Sequence, residues 1–207
     1  MTRLGFLIAR ALGQEDRLQR LSCPASELMA QLDDRSVALV GNARRPGPEG
    51  QGAMIDAADV VIRLNRAPMP APQSHGQRTD ILALATGISA ADLARIRPRR
   101  ILWMSHKRKR LPWPVAQSAG FHMPTLAAFH RLQSGLGAPP STGLMMIDLL
   151  ARSNAREIGL YGFDFFNSLS LSGRRTAAQV PHDFAAERRF VEALMTEDPR
   201  FRLMSAT

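Results

Sequence analysis

From Arg35 onward the chain repeats a pattern that fixes its fold class, in which short apolar runs are separated by helix-like or turn-rich stretches. Val37 to Val40, Asp59 to Leu64, Ile81 to Ala85, Arg100 to Met104 and Glu157 to Tyr161 read as strands. Helices are expected around Ala53 to Ala57, Ala90 to Ile96, Thr125 to Leu132, Thr142 to Ser153 and Asp183 to Met195. Strands alternating with helices predict an α/β fold with a largely parallel central sheet flanked by helices. Residues 1–34 read instead as an amphipathic helical appendage, with Leu18, Leu21, Leu28, Met29 and Leu32 on its apolar face and an interruption at Pro24. The main domain is expected over residues 35–207. Ligands of parallel sheets bind beyond the carboxyl ends of the strands, so the residues following each strand carry the functional question.

At 207 residues the chain suits one domain and is long enough to build a core. Its formal charge of +9 comes almost wholly from arginine, Lys107 and Lys109 being its only lysines. Arginine-rich surfaces suit nucleic acid, an anionic membrane, or a small phosphorylated or carboxylated ligand, and an arginine-biased composition without function gives the same total. No apolar run is long enough to span a bilayer, and Leu4 to Leu12, broken by Arg10, lacks a convincing cleavage site for a signal peptide. With a single cysteine, Cys23, no internal disulfide can form, and a reducing cytoplasm is expected. Met1 to Leu12 together with the HKRKR run at 106–110 would permit weak peripheral attachment to an anionic surface.

Four segments could carry chemistry. VALVGNARRPGPEGQG follows the first strand with Gly41, where backbone can approach a ligand, Asn42, a donor and acceptor, and Arg44 and Arg45, suited to phosphate. It matches neither a dinucleotide fingerprint nor a P-loop, and an ordinary strand-to-loop turn explains it as well. DVVIRLNRAP places Arg63 and Asn65 in an otherwise buried run, where Arg63 is expected to pair with Asp56 or Asp80. PPSTGLMMIDLLARS offers Ser141 or Thr142 as a cap and Gly143 in the first turn of an apolar helix, either a plain capped helix or an anion site. PHDFAAERRF sets His182 before a helix that contains Glu187; histidine is a natural general base, and also a common surface residue. Asp183 and Glu187 either raise its basicity or favour the helix N-terminus. Metal-ligand spacing among His75, His106, His122 and His130 is absent, as are an Asp-x-Asp pair and Gly-x-Ser-x-Gly.

In their order along the chain these segments resemble glycosyltransferase family 29, the sialyltransferases, over about Arg35 to Leu194. VALVGNA, IDAADVVIRLNRAP and GQRTD are similar to the family's large sialylmotif, and PPSTGLMMIDLLARSNAREIGLYGFDFF to the small one. His182 to Glu187 matches the His-x4-Glu of the very short motif. The resemblance implies a Rossmann-like, GT-A-variant single domain of compact bacterial type. It also implies a metal-independent, inverting transfer of sialic acid, or the related Kdo, from a CMP-sugar to a glycan hydroxyl, with no cofactor. Asn42 and Asn65 would bind the nucleotide and its phosphate; Ser141, Thr142 and Gly143 would hold the nucleotide or donor carboxylate; Gly162 would form the wall beside the cytidine; His182 would be the general base.

Two departures from the family stand out. The positions of its motif-linking disulfide are Val37 and Ala155, and its further histidine-and-aromatic motif is not evident in Asn167 to Pro181. Arg174 or Arg175 is the expected substitute at the leaving phosphate, beside Arg44. Two other classes follow from the same sequence: a CMP or CMP-sugar binder of this fold that has lost catalysis, and, from charge alone, a basic nucleic-acid-binding protein, although no nucleic acid is the expected partner of the family.

Overall fold

The computed structural model describes residues 1–43, 50–163 and 181–204. Its centre is one six-stranded sheet built from β1 (Ser36–Val40), β2 (Val60–Leu64), β3 (Ile81–Leu84), β4 (Arg100–Trp103), β5 (Glu157–Tyr161) and β6 (Phe201–Met204). The strand order is β4-β3-β2-β1-β5-β6, and every pairing is parallel. This is a Rossmann-like α/β arrangement, and the five strands expected from sequence are all present. Val37 stands opposite Val60 on one side and Ile158 on the other. The chain therefore winds outward from β1 through β4, then returns to β1's other side with β5. That reversal opens a crevice at the carboxyl ends of β1 and β5.

Side chains alternate across the sheet with the two-residue period of a strand. Val37, Leu39, Val60, Ile62, Ile81 and Ala83 face one side. There they meet α3 (Ala25–Leu32), α8 (Leu126–Leu136), α9 (Thr142–Ala151) and α10 (Phe184–Glu197). Ala38, Val40 and Val61 face the other side, under Ile55 of α4 (Gln51–Ala57). Farther along that side, Leu82, Leu84, Ile101 and Trp103 pack with α1 (Arg3–Ala11), α2 (Glu15–Gln19), α6 (Ala90–Ile96) and α7 (Trp113–Ala116). A short helix, α5 (Pro72–His75), stands beside α4. Burial on both faces explains why the strands read as continuous apolar runs.

Residues 1–34 form three helices, the interruption expected at Pro24 being joined by a second break where Gly13 adopts φ +66°. Phe6, Ala9 and Leu18 are wholly buried on one face of the sheet, Leu28 and Leu32 on the other, so packing runs without interruption from these helices into the strands. Arg108 fastens α2, its guanidinium donating to Glu15 at 2.8 Å and to the carbonyls of Ser105 and Pro124. No helix among the described residues is long and apolar enough to cross a membrane.

Arg63 departs from expectation. Its side chain is 1% exposed and donates from Nε to the Arg78 carbonyl at 2.8 Å and from Nη2 to the His75 carbonyl at 2.7 Å, not to a carboxylate. Asp56 instead accepts the backbone amides of Gln77 and Arg78, and Asp80 accepts Val61 N–H and an Arg78 guanidinium N–H. Desolvation lowers the pKa of Arg63 to about 10, which leaves it charged at neutral pH. Its work is structural, tying the turn after α5 to β2. The strand absent from the sequence reading, β6, is an edge strand in which only Phe201 is buried. Arg200 seats it by donating to the carbonyls of Ser153 at 2.6 Å and Ala151 at 3.1 Å, at the end of α9.

Because Phe6 is wholly enclosed, Phe6→Ala is expected to reduce unfolding free energy by about 3–5 kcal/mol. Urea titration measures it, and a loss below about 1 kcal/mol would show that α1 contributes little to the core.

Candidate active site

The ladder between β1 and β5 continues past both strands. Gly41 N–H donates to the Tyr161 carbonyl at 2.7 Å, and Ala43 N–H to the Gly162 carbonyl at 3.2 Å. A Cβ on Gly41 would lie 2.5 Å from the Gly162 carbonyl oxygen, so no other residue fits without moving backbone. Gly162 has φ +63°, in the region glycine favours. The crevice at the reversal point is thus walled by bare main chain.

Phe163 follows and fills the next space. A Cβ on Gly143 would lie 2.9 Å from its ring and 3.6 Å from Leu64 Cδ1. Gly143 therefore lets the first turn of α9 close over the ends of β2 and β5. Asn42 donates from Nδ2 to the Leu64 carbonyl at 3.3 Å, while its Oδ1 is buried with no partner among the described residues. Buried acceptors of this kind are ordinarily paired. Asn65 has φ +54°, takes Ala85 N–H on Oδ1 at 3.0 Å and donates its own N–H to the Ala83 carbonyl at 2.8 Å. Its carbonyl thus secures the end of β2 to β3.

The start of α10 is joined to the start of α9 at two points. Ser141, the cap of α9, accepts Leu144 N–H on Oγ at 3.2 Å. It also donates from its own N–H to Glu187 Oε1 at 2.6 Å and from its hydroxyl to Oε2 at 2.7 Å. Two residues earlier, the Pro139 carbonyl meets His182 Nδ1 at 2.7 Å. A carbonyl only accepts, so Nδ1 carries a proton, and in the neutral ring the lone pair lies on Nε2. His182 is half-buried, with Phe184 edge-on to its ring at 5.7 Å.

Glu187 lies in the first turn of α10 and is hydrogen-bonded to Ser141. It does not touch the imidazole, and Asp183 caps α10 by accepting Ala186 N–H at 2.9 Å, one of the two roles expected for it. Glu187 is 4% exposed, and desolvation pushes its pKa up to about 7 against the pull of the two Ser141 donors. Thr142 and Gly143 amides in the first turn of α9 donate to no acceptor among the described residues, which leaves two N–H groups at a positive helix end.

Gly41, Asn42, Asn65, Ser141, Thr142, Gly143, Gly162, His182 and Glu187 accordingly form one connected rim. Arg44, Arg174 and Arg175, and most of the stretch 167–181, lie outside the described residues. Val37 and Ala155 are both buried in one apolar cluster. Among the described residues no group of three or more His, Cys, Asp or Glu converges as a metal site. Sequence reasoning missed Phe163 and Pro139; their signal was adjacency, one beside Gly162 and one just ahead of the α9 cap.

A protein with the pKa of Glu187 raised from 4.5 to about 7 holds a proton that the unfolded chain releases between those values. Stability from this residue should be greatest below about pH 4.5, fall as pH rises towards about 7 and then level. Glu187→Gln should remove that slope in denaturation midpoints taken across this range; an unchanged slope would assign it to other groups.

No family model matches the chain. It is 32% identical to a urease operon 23 kDa accessory protein of Rhizobium meliloti (strain 1021), the match spanning 82% of this chain and 93% of that protein. In three dimensions it is similar to a mammalian sialyltransferase in complex with Gal-beta-1-3GalNAc-ortho-nitrophenol, at TM-score 0.59 and 18% identity, over 92% of this chain and 84% of the other. The sialyltransferase CstII of Campylobacter jejuni in complex with cytidine-5'-monophosphate gives TM-score 0.55 at 12% identity, over 84% and 81%. The fold is thus that of sialyltransferases.

Proposed function

The chain belongs to the family of the 23 kDa urease operon accessory protein, and we propose that it is a CMP-sugar-dependent glycosyltransferase of the sialyltransferase kind. The observation that carries this reading is the fixed tautomer of His182. Its Nδ1 meets the Pro139 carbonyl, which in the neutral ring leaves the lone pair on Nε2, the atom this reading assigns as the base.

In this reading CMP occupies the reversal point between β1 and β5. Asn42 Oδ1 takes a donor from the nucleotide, and Asn65 flanks it at the end of β2. Gly162 forms the wall beside the cytidine. Thr142 and Gly143 amides receive the phosphate or the donor carboxylate at the start of α9, helped by Arg44 and by Arg174 or Arg175. Ser141 orders that start through Glu187. The acceptor hydroxyl forms its bond to the anomeric carbon on the face opposite CMP; its proton passes to His182 Nε2, and the bond to phosphate breaks with its electron pair leaving on CMP. The configuration inverts. No metal ion or cofactor enters this scheme, because amides and guanidinium groups take the place of a cation at the leaving phosphate. The donor is CMP-sialic acid or CMP-Kdo, both anionic sugars on one nucleotide, and the acceptor is a glycan available in the cytoplasm.

A second reading has one observation in its favour. The relative is described as an accessory protein, which suits a CMP binder of this fold without turnover.

Purified protein incubated with each donor in EDTA separates the two. Release of CMP from one donor, lowered about 10²–10⁴-fold by His182→Ala while CMP affinity is retained, is the result expected. CMP binding with neither donor consumed would favour the binder, and turnover indifferent to His182→Ala would remove His182 as the base. Affinity for nucleic acid that falls steeply with salt and is not competed by CMP would point to the basic-protein class instead.

A further inference from the structure

Helix α1 is apolar on two opposite faces, and protein covers only one of them. Phe6 and Ala9 are wholly buried against the sheet. At 100° per residue, Leu4 and Ile8 turn away from Phe6 and Ala9 and are 69% and 43% exposed; Leu12, which caps the helix, is 68% exposed, and Met1 and Leu7 are exposed as well. These five are most of the large apolar side chains exposed among the described residues, and they are confined to one end of the chain. The helix is fastened to the basic turn Arg108–Arg110, since Arg10 donates from Nη1 to the Leu111 carbonyl at 2.9 Å. Lys107, Lys109 and Arg110 around that turn are exposed and enter no ion pair among the described residues, and Arg3 is exposed on α1 itself. Glu15 on the neighbouring helix is engaged with Arg108.

We propose that this end of the molecule is a docking surface for an anionic lipid bilayer, with Leu4, Ile8 and Leu12 entering the interface and the cations around Lys109 meeting headgroups. Charge selects the occupant. A second copy of the chain would bring like charges together around the stripe, whereas an anionic membrane satisfies both the apolar face and its basic border. This surface makes no use of the nucleotide crevice and stands apart from the transfer reaction.

Vesicles of phosphatidylcholine alone, and of phosphatidylcholine mixed with phosphatidylglycerol, test it by co-sedimentation. The protein should pellet with the mixed vesicles, less so in high salt and hardly with the neutral ones. The combined Leu4→Ser, Ile8→Ser, Leu12→Ser variant should bind about tenfold or more weakly, and Lys109→Glu with Arg110→Glu likewise, each keeping the parent's unfolding midpoint because the side chains are exposed. Failure to pellet with the mixed vesicles, or binding that neither variant weakens, overturns the proposal. Self-association of the parent that the apolar variant abolishes, without vesicle binding, would assign the stripe to a second copy and overturn it equally.

Discussion

The backbone of Gly41 lies so close to that of Gly162 that a Cβ would meet the carbonyl oxygen at 2.5 Å, and the arrangement of the carboxyl edge depends on that approach. β1 and β5 stay hydrogen-bonded past their last strand residues, so at the reversal of strand order the two chains run on side by side as main chain. Phe163 is carried into place by this pairing, and its ring in turn requires glycine at position 143. The first turn of α9 is thereby drawn over the ends of the strands, with the Thr142 and Gly143 amides unpaired among the described residues.

The second dependence is electrostatic. Helices α9 and α10 begin beside each other, so two positive helix ends meet, and Glu187 stands between them with both oxygens on Ser141. Burying a carboxylate opposes its ionisation, which is why its pKa rises towards about 7 despite two good donors. The same junction holds Pro139 where its carbonyl fixes the tautomer of His182. Glu187 is thus linked to the histidine through the chain segment 139–141, with Ser141 on its carboxylate and Pro139 on the imidazole.

Much of this was legible in the sequence. The first five strands are mostly apolar runs buried on both faces, and hydrophobic pattern locates them and most helices. β6 was not, because Phe-Arg-Leu-Met at a sheet edge buries one side chain and shows no pattern; its place is set by Arg200 reaching the end of α9. The partners of Arg63 were also hidden, since pairing a buried cation with a carboxylate is the natural guess while the chain supplies carbonyls from a turn that no local pattern announces. For the candidate site, motif order singles out Gly41, Asn42, Gly143, Gly162 and His182. The contact between Glu187 and Ser141 was not legible, because it spans two helices distant in sequence and depends on how α10 packs.

The central claim is that the β1 and β5 reversal point receives a CMP nucleotide. A crystal structure of the protein soaked with CMP tests it most directly. The account predicts the nucleotide between Gly41 and Gly162, with Asn42 Oδ1 accepting from it and its phosphate on the Thr142 and Gly143 amides. CMP seated on another surface, or a crevice left empty at saturating CMP, would contradict it.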